Sequence, residues 1–98
     1  MNTEREKSEQ RTQLTYQQRI EWKEQLAFET VNRSALSTKH EQERTRLNQE
    51  EINFHQREAL VRQHLDELKA LKHQDRELRM DILKRHTSEH LALNQRLK

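Results

Sequence analysis

The sequence predicts an all-α fold of coiled-coil-like character, either one long amphipathic helix or a helical hairpin, with an irregular heptad and hendecad pattern. Three observations carry that expectation: the composition, the absence of Gly and Pro, and an eleven-residue apolar repeat in the C-terminal half. Ala, Glu, Lys, Leu and Arg supply 51 of the 98 residues, about the half that marks long helices and coiled coils. Without Gly or Pro, tight turns and hairpin sheets lack the residues that usually build them. Only 30% of the chain is apolar, against roughly 45–50% in ordinary globular domains, so a sizeable core is excluded.

Composition also narrows the function classes. The chain has no Cys, which removes disulfides, thiolate metal ligands and a thiol nucleophile. Nineteen bases against 17 acids leave a net charge of +2, too balanced to imply nucleic acid by itself. Leu, Ile, Val and Phe total only 20 residues, so an adaptor that folds on binding a partner is an alternative. Residues 1–11 contain no hydrophobic region of a signal peptide. The longest apolar runs are three residues, as at Leu26-Ala27-Phe28, so no membrane span and a cytoplasmic location are expected. Asn32-Arg33-Ser34 has the form of a glycosylation acceptor, read as chance without a secretion route.

Along the chain, Thr3-Glu4-Arg5-Glu6 has the pattern of a capping box opening a helix. Asn32, Ser34, Ser37 and Thr38 then cluster, and their short polar side chains compete for backbone hydrogen bonds. Thr38-Lys39-His40-Glu41 is a second capping-box pattern. The expected organisation is an N-terminal helix over 1–34 and a long coiled-coil-like helix over 35–98. With no Gly to hold a left-handed backbone, a continuous or bent helix is preferred to a sharp turn there.

The C-terminal helix carries the clearest pattern. Leu60, Leu71, Ile82 and Leu93 recur every eleven residues, as do His64, Asp75, His86 and Leu97. Eleven residues make three helical turns, so each series stays on one face. With Val61, Leu65, Leu68, Leu78 and Leu83 these apolar positions form an expected association seam. Residues 14–36 differ, with Tyr16, Ile20, Trp22, Leu26, Phe28 and Val31 spread over several faces. They are read as packing residues or as a docking segment with aromatic anchors.

Chemistry-bearing motifs are few. His86-Thr87-Ser88-Glu89-His90 matches the H-x-x-E-H pattern of certain zinc peptidases. No acid, His or Cys follows His90, so the third ligand is missing. Neither catalytic residues, nor a cofactor, nor a metal is therefore assigned, and an enzyme with a small-molecule substrate is not expected. Six histidines raise the idea of a pH switch, outweighed by their ordinary use as partly exposed spacers. Lys69, Lys72, Arg76 and Arg79 form a basic ridge that could contact phosphates. Nearby acids dilute that field, and no aromatic follows Phe54 to stack on bases. The expected function is a helical oligomerisation, scaffold or protein–protein interaction module, through self-association or another helical protein. A small nucleic-acid-associated accessory protein is the alternative.

Overall fold

A computed structural model describes residues 3–50 and 53–98 and contains two helices, α1 (Glu4–Gln49) and α2 (Phe54–Arg96). Among the described residues there is no strand, and no backbone adopts positive φ. Helix α1 begins where its sequence says, with the Glu6 amide donating to Thr3 Oγ1 at 3.2 Å. Acids in its first turn and Arg46 in its last complement the helix dipole.

The stretch 32–38, where a continuous or bent helix is preferred to a sharp turn, is unbroken helix. Helix α1 passes through Asn32, Ser34, Ser37 and Thr38 without interruption, and the helices separate after Gln49 instead. Helix formers on both sides outweigh four scattered polar residues, whose individual costs are below about 1 kcal/mol each. The true restart is a complete reciprocal capping box at Asn53-Phe54-His55-Gln56. The Gln56 amide donates to Asn53 Oδ1 at 2.9 Å, and the Asn53 amide donates to Gln56 Oε1 at 3.2 Å. The boxlike Thr38-Lys39-His40-Glu41 lies inside α1 and caps nothing.

The chain divides into two compact units, one comprising Met1–Ala27 with Glu77–Lys98 and the other Phe28–Arg76. Within the Phe28–Arg76 unit, the two helical segments run antiparallel, since His40 reaches Glu67 while Glu43 reaches back to His64. Residues turned inward there are Glu29, Asn32, Leu36, His40, Glu43 and Leu47 on α1, with Leu60, His64, Glu67, Leu71 and Asp75 on α2. Their steps of three and four residues repeat every eleven, the spacing that keeps a stripe straight along a helix. Among the described residues, the buried side chains of this unit are all polar: Glu29, His40, His64 and Asp75.

The other unit is also an antiparallel pair, joined by Arg11 to Asn94 at 3.2 Å and by Gln18 to His90 at 2.8 Å. Its buried apolar residues are Ile82, Leu93 and Leu97. Leu14, Trp22 and Leu78, with polar Gln18 and Glu89, are half-buried around them. No helix of the described residues is long and apolar enough to cross a membrane.

Candidate functional site

The most organised side-chain cluster lies in the Phe28–Arg76 unit and is built from the same motif on both helices. His40-x-x-Glu43 on α1 faces His64-x-x-Glu67 on α2. A spacing of three puts each histidine and glutamate on one helical face. The two imidazoles stack with centroids 3.8 Å apart and planes 14° from parallel. His40 Nε2 donates to Glu67 at 3.1 Å, and His64 Nε2 donates to Glu43 at 3.0 Å. Each histidine thus spends its outer nitrogen on the opposite helix's acid, so the layer is satisfied only when the helices are in register.

Glu67 is the charge centre of this layer. Gln63 at 3.0 Å, then His40, then Lys39 at 3.1 Å bond its carboxylate, holding its pKa at about 2, well below the ordinary 4.5. Bonds to the charged form are the cause, and they keep Glu67 ionised where ordinary glutamates take up protons. Lys39 is shifted upward in return by the same carboxylate. A different layer lies eleven residues along each helix, at Glu29 and Asp75, two buried acids. Glu29 meets Arg33 at 3.6 Å, whereas neither carboxylate oxygen of Asp75 has a hydrogen-bond partner among the described residues.

The Met1–Ala27 and Glu77–Lys98 unit has its own polar layer. Arg85 lies 2.7 Å from Glu21, and His86 bonds the second oxygen of that carboxylate. The guanidinium of Arg85, followed by His86, lowers the Glu21 pKa against the opposing effect of burial. Gln18 donates to the His86 carbonyl at 3.2 Å, and Trp22 meets the His86 ring edge-on at 5.8 Å. His90 donates to Gln18 Oε1, and Glu89 Oε1 is buried without a partner. The H-x-x-E-H residues are thus turned to separate neighbours. Among the described residues, no three His, Asp or Glu groups converge as a metal site would require.

The expected seam is split by the structure. Ile82, Leu93 and Leu97 are buried, and Leu60, Leu71 and Leu78 are half-buried, all in the inward columns. Val61, Leu65, Leu68 and Leu83 lie outside those columns and are exposed. Of the expected docking residues, Trp22 is half-buried beside His86, while Tyr16, Ile20, Leu26, Phe28 and Val31 are exposed. Lys69, Lys72 and Arg76 are exposed in one unit and Arg79 in the other.

The reciprocal His-Glu layer escaped sequence reading, and its two H-x-x-E pairs are not distinguished in sequence from the other two, His55 to Glu58 and His86 to Glu89. The matching repeat on α1 also went unseen. Leu14, Gln25, Leu36 and Leu47 recur every eleven residues, as do Lys7, Gln18, Glu29 and His40. Five of those eight positions are polar, so an apolar pattern search passes over them. No family model, curated protein or solved structure matches this chain.

Proposed function

We propose that the protein is a non-enzymatic helical interaction module, in which α2 presents an outward face to another protein. The observation that carries this reading is the exposed row Phe54, Val61, Leu65 and Leu68, all within the Phe28–Arg76 unit. On an ideal helix these four lie within about 60° of one another, on the flank of the inward stripe. Single exposed apolar residues need no explanation, but a contiguous row marks an interaction surface. The paired histidines and acids supply the counterpart, a register-specific scaffold that holds the row in place.

The test is a triple substitution, Val61→Gln, Leu65→Gln and Leu68→Gln, followed by circular dichroism and thermal melting. Exposed substitutions of this kind change stability by about 0.5 kcal/mol or less each, so helix content and melting temperature stay nearly unchanged. Collapse of the helical signal would place the row in the protein's own core, and the reading would be lost. A nucleic-acid reading has one observation in its favour: Lys69, Lys72 and Arg76 have no ion pair among the described residues. Their apolar neighbours on the same face make a protein the better partner.

A further inference from the structure

We infer that the outward face of α2 in the Phe28–Arg76 unit docks an acidic amphipathic helix from a different protein. The inference rests on the interaction-module reading and adds the chemistry of the partner. Phe54, Arg57, Val61, Leu65, Leu68, Lys72 and Arg76 follow one another in steps of three and four, and every one of them is exposed. This 3-4-4 spacing repeats every eleven residues, as the inward stripe does, so the row is a second straight ridge on the same helix. One ridge is spent on α1. The other has no occupant among the described residues.

Charge decides what fits. Arg57, Lys72 and Arg76 lie in the row itself and Lys69 beside it, and none of the four has an ion pair among the described residues. Glu58 is the acid at the row's edge, and Arg62 already pairs with it at 2.7 Å. Asp66 lies about 140° round the helix from Val61, on the far side. The face is therefore aliphatic at its centre and basic along its length, which complements a helix with an aliphatic stripe flanked by Glu and Asp.

The same charges argue against a second copy. A two-fold contact brings a surface against itself. Centred on Leu65, it would set Arg57 of one copy near Lys72 of the other, and like charges across an interface select against that pairing. The regular helical ridge, with only Phe54 as an aromatic, also suits a partner helix better than stacked bases.

A display library of amphipathic helices, with a fixed leucine stripe and randomised flanks, tests the proposal against the immobilised full chain. The expected outcome is enrichment of Glu and Asp at the flanks and affinity that falls with added salt. Lys69→Glu, Lys72→Glu and Arg76→Glu together should weaken the best selected peptide by at least about tenfold and turn the selection towards Lys and Arg. Retained helical circular dichroism shows that the variant is folded. Anionic vesicles and duplex DNA serve as parallel ligands. Selection of neutral or basic flanks with binding still lost in the Val61/Leu65/Leu68 glutamine variant would overturn the acidic partner while leaving the docking face. Binding of vesicles or DNA alone, or no enrichment from the library, would overturn the helical partner itself.

Discussion

Truncating Leu93 to alanine costs about 2–4 kcal/mol of stability, whereas the same change at Leu83 costs less than about 0.5 kcal/mol. The two leucines belong to one expected seam and differ by ten positions, yet Leu93 is 4% exposed and Leu83 is 52% exposed. Leu93 stands in the column of Leu60, Leu71 and Ile82, turned towards α1. Removing its branched end leaves a cavity that the thin two-helix interior cannot refill, on top of the lost transfer energy. Small domains hold only about 5–15 kcal/mol in total, so this loss is a large share. Urea titrations followed by circular dichroism measure both variants. Equal costs at the two positions would show that α2 buries a different face.

Asp75→Leu has the opposite sign and raises stability by about 1–3 kcal/mol. Asp75 is 5% exposed, and neither of its carboxylate oxygens has a hydrogen-bond partner among the described residues. Burying a polar group without hydrogen bonds is costly, and a buried charge more so. Glu29, eleven residues before His40, occupies the layer that Asp75 reaches eleven residues after His64, and it is 1% exposed. Leucine suits the position, since the same column holds Leu97, 4% exposed, at its end. For a chain of this size each kcal/mol moves the melting temperature by roughly 4–8 °C, so a clear upward shift is expected. A melting temperature that falls or stays level would mean that Asp75 has a partner in solution, and the polar-layer account of this unit would need to change.

Why does a helical pair keep such groups inside? Apolar layers alone let antiparallel helices slip, because one leucine packs much like another. His40 and His64 do not permit a slip, since each needs the other helix's glutamate. Replacing them with hydrocarbons would remove that constraint whatever it did to stability.

The helices and the C-terminal stripe are legible in the residues themselves. Leu60, Leu71, Ile82 and Leu93 announce their face by spacing alone, and Thr3-Glu4-Arg5-Glu6 announces the start of α1. The second helix start is legible too, but in Asn53 and Gln56, residue types that a search for Ser, Thr and Glu passes over. The two ridges of α2 are not separable from sequence. Val61 and Leu60 are adjacent aliphatic residues, and only the position of α1 makes one half-buried and the other exposed. The same limit hides the His-Glu layer, because no local pattern says that position 40 faces position 64. That pairing is a long-range fact, set by where the chain turns.

The central claim is that α2 pairs antiparallel with α1 of its own chain through this layer, leaving its second ridge outward. The chain contains no cysteine, so Leu36→Cys with Leu71→Cys, two inward positions beside the His-Glu layer, places the only two thiols across the helix pair and leaves the four layer residues intact. A short thiol crosslinker applied to dilute protein, read by mass spectrometry and non-reducing gel mobility, gives the most direct measurement. A fast intramolecular bridge between positions 36 and 71 in a single chain is the expected result. Bridges that form only between two chains, or none at all while the protein is helical, would contradict it.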